Sequence, residues 1–376
     1  MKFVAFYLPQ FHEFEENNKF WGKGFTEWTN VKKSESYFWA HKQPKIPSVL
    51  GYYDLSNDKQ VESQIKLAKE FGIDVFAVYI YWFNEKSIMD KPLESIFKYA
   101  KIYDLKIFFI WANENWTRRW DGGNDEILIQ QNYSIEKDVE IVNHYRQFFD
   151  SDTYFKIDGK LMFGIYRPDI IPRTTDFLLE IRKEFNKFSN DVHLTMVQSF
   201  NNFDPRVHQM DSAIQFPPHQ IKSRSHRKPL RFEDSDVSIY SYQDYLINSI
   251  NNLGIDFINF PGTMVAWDNT PRKGSAGDIV SGSEAIHFYH WLIRAGTYSI
   301  STLPNNFQLV FINAWNEWAE GAYLEPDLDS GFSKLYAVKL AKKQLDTFHK
   351  YSNEIDKYPT KYNRVSSFLM GENIGY

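Results

Sequence analysis

Eight times along this chain a short apolar run rich in β-branched and aromatic residues is followed by a stretch that reads as helix. The runs are Phe3 to Leu8, Ile73 to Trp82, Lys106 to Trp111, Leu161 to Tyr166, His193 to Gln198, Ala213 to Phe216, Phe257 to Phe260 and Leu309 to Ile312. Ile73 to Trp82 is apolar almost throughout, which fits a parallel strand covered on both faces. After the first run, Val61, Ile65, Ala68 and Phe71 recur at helical spacing and Gly72 stops them. Further helices are predicted over 93–103, 135–149, 176–188, 242–253, 283–295 and 333–351. Eight strand-then-helix units imply a parallel sheet with helices outside it. With 376 residues, the expected fold is α/β: one (β/α)8 TIM barrel with long βα loops, a single domain over residues 1–376. An open doubly wound sheet is the alternative, but its Gly-rich nucleotide fingerprint is missing.

A barrel of this kind places its chemistry at the C-terminal ends of its strands. After the last run the chain reads N-A-W-N-E-W-A-E-G-A-Y-L-E-P, Asn313 to Pro326. Glu317 and Glu320 are three apart, so a helical turn here puts both carboxyls on one face, with Cβ atoms about 5–6 Å apart. Retaining glycosidases hold their paired carboxyls at about 5–5.5 Å. Trp315 and Trp318 flank the pair as candidate platforms for a sugar ring, and Asn316 offers a donor and an acceptor to a hydroxyl. The competing reading is a salt-bridged pair of glutamates with no chemistry. The crowding of two Trp, one Asn and two Glu into six positions favours a site.

The other candidates also follow strand ends. Tyr7 closes the first run, and the long loop after it carries His12 and Glu27. Tyr81 and Trp82 end the second, Glu114 and Trp116 follow the third, and Trp267, Asp268 and Arg272 follow the seventh. Arg118 and Arg119 suit an acidic sugar but equally a solvated surface. The basic segment 222–231 reads as a surface loop. His287 and His290 are three apart and imitate metal ligands, but a packed or solvated helix face is the reading taken, so no metal site is expected.

The motif W-N-E-W-A-E-G-A-Y-L-E-P resembles the N-E-W-H-E-G signature of glycoside hydrolase family 99, the endo-α-mannosidases and endo-α-mannanases. More closely it resembles the WbsX-type relatives found with bacterial surface polysaccharide genes. W-D-N-T-P-R at Trp267 to Arg272, G-Y-Y-D at Gly51 to Asp54 and Gly72-Ile73-Asp74 extend the likeness over most of the chain. The resemblance implies a (β/α)8 barrel, with Glu317 as general base and Glu320 as general acid. It implies a retaining route in which the substrate's own 2-hydroxyl forms a 1,2-anhydro sugar. The family's His is Ala319 here, so the contact made by that His does not carry over.

Composition limits the rest. A net charge of −5 argues against nucleic acid or an anionic membrane as the main partner. There is no cysteine, which excludes disulfides and thiolate metal sites. No apolar run reaches the roughly 18 residues of a membrane span. The apolar start is short, contains Pro9 and lacks a cleavage site, so it reads as a strand of a cytoplasmic protein rather than a signal peptide. The expectation is a monomeric glycoside hydrolase without cofactor or metal, acting on an oligosaccharide or polysaccharide of O-antigen or capsule type. Two alternatives stay open: a glycosyltransferase of surface polysaccharide assembly, with Asp327-Leu328-Asp329 as a metal-binding D-x-D, and a non-catalytic glycan-binding barrel.

Overall fold

The structure is a computed structural model, and it describes residues 1–117, 126–188, 191–200, 203–219, 230–232, 235–251, 253 and 256–355. Arg118, Arg119 and residues 222–229 lie outside the described residues.

Eight parallel strands form the core: β1 (Lys2–Tyr7), β2 (Val75–Phe83), β3 (Lys106–Trp111), β4 (Lys160–Ile165), β5 (Val192–Gln198), β6 (Ser212–Gln215), β7 in two pieces (Ile258–Phe260 and Gly262–Met264) and β8 (Leu309–Asn313). They pair in sequence order, and β8 returns to β1 with Lys2 opposite Leu309. The ring closes through β7, whose first piece pairs with β6 and whose second pairs with β8. Pro261 separates the pieces and has no N–H to give, yet its carbonyl still accepts from Phe311 N at 2.9 Å. At Gly262 an added Cβ would lie 2.0 Å from the Gln215 carbonyl oxygen, so only glycine lets the chain pass.

Side chains alternate across each strand. Phe6 points inward and meets Phe216 from the far side of the ring at 4.8 Å, while Phe108 of β3 meets Phe311 of β8 at 6.2 Å. Tyr7, one position on, therefore points outward. It packs against Phe76 at 4.9 Å and donates to Gln64 of the outer helix α3 (Asp58–Glu70) at 2.7 Å. The interior is thus an aromatic core with nothing exposed on Val4 or Phe311.

Four features depart from the sequence reading. The loop after β1 has structure of its own, α1 (Glu15–Trp21) and α2 (Glu27–Lys33). The helix expected over 135–149 is broken into Ile135–Asp138, Glu140–His144 and Arg146–Phe149. Between β5 and β6 stands only the 3-10 turn Pro205–His208, so the fifth unit carries no α-helix among the described residues. The end of the basic segment is also a strand, Leu230–Phe232, in a small sheet with Ser235–Ser241, Asp278–Ser281 and Trp267–Asp268. Among the described residues no helix is long and apolar enough to cross a membrane.

Candidate active site

Three loops meet over the C-terminal end of the barrel, and Arg272 joins them. Arg272 belongs to the one-turn helix Thr270–Lys273, begun by Pro271. Its Nη1 donates to Glu320 Oε1 at 2.6 Å, and its Nη2 donates to Glu317 Oε2 at 3.1 Å and Glu27 Oε2 at 3.2 Å. One guanidinium therefore holds three carboxyls in one place, which its planar fork of donors makes possible.

Local structure explains each position. Glu27 opens α2 behind a Thr26–Thr29 capping box, where the positive end of the helix favours a carboxylate. Glu317 closes a two-residue strand, Asn316–Glu317, paired with Ala322–Tyr323, and Glu320 ends the 3-10 turn Trp318–Glu320. Gly321 leaves that turn at φ +66°, and an added Cβ would lie 2.8 Å from Asp268 N. The turn is thereby pressed against the Asp268 loop, which brings Glu320 to Arg272.

The electrostatics follow from burial. Desolvation pushes Glu317 up to about 8, against the pull of Arg272 and with help from Glu320 and Glu27. Glu27 is also raised by burial, opposed by Arg272. Burial works against the charge of Arg272, but the surrounding carboxylates outweigh it and keep the guanidinium protonated. Tyr79, Tyr81 and Tyr166 are pushed far up by burial, and all three feel the Glu317 charge, so they stay neutral phenols beside it. Gln10 fixes the Tyr81 hydroxyl at 2.8 Å. Glu114 stands at the more open rim, paired with Arg167 at 2.9 Å, and its charge reaches Tyr166.

Glu27, Tyr81, Arg272, Glu317 and Glu320 thus lie together, with Glu114 on the same barrel face. Several other expected ligand contacts do not hold. Tyr7 faces the outer layer, because a strand's sides alternate. Trp315 is fully buried against Phe76 at 5.5 Å and offers no platform. Asn316 uses its amide to clamp the backbone of Leu8, accepting from its N–H at 2.8 Å and donating to its carbonyl at 2.9 Å. Trp318 is sandwiched between Tyr323, stacked at 3.8 Å, and Trp28. Trp82 points outward to His144. Asp268 is consumed by His41, Gln43 and Thr270. Burial raises its carboxyl, yet those hydrogen bonds prevail and hold it below the usual range. His12 is buried, bonded through Nδ1 to the Pro9 carbonyl, and burial lowers its pKa. Trp116 sits behind Tyr81 at 5.7 Å in a cluster with Phe14 and Trp21, and Trp267 packs edge-on to His219.

Among the described residues no group of three or more His, Cys, Asp or Glu side chains is placed so that it could hold a metal ion. In the D-x-D, Asp327 accepts from Tyr323 and Ser330, and Asp329 pairs with Lys42 and Lys45. Sequence reasoning missed Tyr79 and Tyr166, whose inward register on the strands was the available signal. It also missed Glu325, whose only sign was its place within the motif.

The (β/α)8 barrel is the fold shared with solved structures of family 99 glycoside hydrolases. The endo-α-mannosidase of that family from Bacteroides thetaiotaomicron superposes with TM-score 0.58 at 14% identity, covering 94% of this chain and 98% of that one. A glycoside hydrolase-like protein gives 0.57 at 14%, covering 92% and 93%. The chain itself belongs to the family described as Glycosyltransferase WbsX, whose model matches residues 3–338. Two uncharacterized WxcX proteins, from two strains of Xanthomonas campestris pv. campestris, are 35% identical over 341 residues, or 90% of this chain. The chain spans about half the length of these relatives, 49% of each.

Proposed function

We propose that the protein is a glycoside hydrolase acting on a bacterial surface glycan, with Glu317 and Glu320 as its proton-exchanging pair. The observation that carries this reading is the convergence of Glu27, Glu317 and Glu320 on Arg272 in a pocket walled by phenols. A glycosidic bond breaks when its oxygen gains a proton while the anomeric carbon gains a nucleophile, so the site needs one acid and one base. Two carboxyls on one cation, one of them raised by burial, divide a single proton between them.

In the retaining route, the proton that burial favours on Glu317 in the free protein passes to Glu320 when substrate binds. Glu317 then takes the proton of the substrate's 2-hydroxyl as O2 attacks the anomeric carbon. Glu320 protonates the departing oxygen. Water then opens the 1,2-anhydro sugar, giving its proton to Glu320 while O2 regains one from Glu317. Arg272 and the phenols of Tyr79, Tyr81 and Tyr166 supply fixed dipoles around the charge that develops.

The family's description favours a second reading, a glycosyltransferase. Incubation with isolated O-antigens, set against a panel of sugar nucleotides with Mn²⁺, separates the two. Release of reducing sugar without a nucleotide donor supports the hydrolase. Transfer that requires the nucleotide and the metal refutes it.

A further inference from the structure

Behind the paired glutamates lies a buried carboxylate with no cation against it among the described residues. Glu325 is 2% exposed. Its Oε2 accepts from Trp318 Nε1 at 2.6 Å and Tyr53 Oη at 2.9 Å, and its Oε1 accepts from Gln64 Nε2 at 2.7 Å. Gln64 is held in turn by the Tyr7 hydroxyl at 2.7 Å, and Tyr53 Oη is 3.4 Å from Asn316 Nδ2. Glu325 therefore links β1, α3, the loop at Tyr53 and the strand-8 motif in one network outside the barrel ring.

Asn316 and Trp318 are the chain neighbours of Glu317 on either side, and both side chains end in this network. Trp318 also begins the 3-10 turn that carries Glu320. The geometry points to Glu325 as a positioning residue that fixes where Glu317 and Glu320 stand relative to Arg272. An apolar core residue there would leave the indole N–H, the phenol and the Gln64 amide without their shared acceptor. The design is otherwise costly, since burial pushes Glu325 itself up to about 7. A carboxyl held only for packing has no need of three converging donors.

This inference rests on the functional reading above, so its test includes a readout that needs no substrate. The Glu317 carboxyl is followed by carbon NMR in Glu-labelled protein, assigned with Glu317→Gln, in wild type and in Trp318→Phe, Glu325→Leu and Glu325→Gln. Trp318→Phe removes the indole N–H and keeps a smaller aromatic ring against Tyr323, so it gives a second readout if Glu325→Leu does not fold. In Trp318→Phe and Glu325→Leu the Glu317 midpoint should move by about 0.5 or more, because its distances to Arg272, Glu320 and Glu27 change. On a glycan cleaved by wild type, kcat should fall about 10- to 100-fold with KM little changed, the signature of displaced catalytic groups. Glu325→Gln keeps an acceptor for Trp318 and Tyr53 if Gln64 turns its amide over, so it should retain both properties. A Trp318→Phe protein with the wild-type Glu317 midpoint and wild-type kcat overturns the inference. If wild type cleaves no glycan, the hydrolase reading fails, while the titration still decides the role of Glu325.

Discussion

At the scale of residues, the site depends on one cation serving three acids. Replacing Arg272 by Met would leave Glu27, Glu317 and Glu320 gathered in a low-dielectric pocket with no counter-charge. Breaking a buried ion group in this way costs about 3–5 kcal/mol. The loss should be larger at pH 8 than at pH 5, where the carboxyls can take up protons instead. Urea unfolding of Arg272→Met and wild type at both values checks this, and an equal loss at both would contradict it. The two glutamates should also differ in kind. Glu317→Gln and Glu320→Gln each remove a proton-transfer step worth about 10²–10⁴ in rate. A substrate with a very good leaving group needs no acid, so it should restore Glu320→Gln and not Glu317→Gln. Rescue of the opposite variant would exchange the two roles. A covalent sugar adduct on either glutamate would replace the 2-hydroxyl route with a carboxylate nucleophile.

At the scale of elements, the alternation of apolar strands and helices was legible because each β-run is buried on both faces. The strand-end positions of Glu27, Tyr81, Glu114, Arg272, Glu317 and Glu320 were legible for the same reason. Alternation relates aromatics on one strand, as Tyr79 to Tyr81, but which of the two sides faces inward was not legible. Tyr7 follows an inward Phe6 and so faces α3, and Trp315 lies after a turn that sends it into the outer layer. Trp116 is a candidate because it follows the third run, yet its ring packs among Phe14, Trp21 and Tyr81. Trp116 itself is 4% exposed within a cluster of rings. Trp116→Ala should therefore lower stability by about 3–5 kcal/mol, the usual cost of emptying a large aromatic site. Unchanged unfolding with weakened glycan binding would restore the platform role.

At the scale of the whole molecule, the barrel buries Glu27 and Glu317 at its mouth, and pH dependence is where that burial becomes measurable. An unfolded glutamate titrates near 4.3, whereas burial pushes Glu317 up to about 8 in the folded protein. Between those values the folded state holds a proton that the unfolded state has released. The stabilising contribution is therefore fully present below the unfolded value and is lost as pH rises through the folded one. Glu317→Gln has no such proton to lose, so its stability relative to wild type should increase between pH 5 and pH 9. Chemical unfolding of both proteins across that range tests it, and parallel curves would show that Glu317 titrates normally. Activity should follow the same group. The pair works with one proton between its two carboxyls, and the apparent values belong to the pair rather than to either residue. Once pH passes about 8 that last proton leaves, so kcat/KM should fall about tenfold per pH unit on the alkaline side, whichever glutamate is the acid. A profile still flat at pH 9.5 would mean that the proton used in catalysis is not held by this pair.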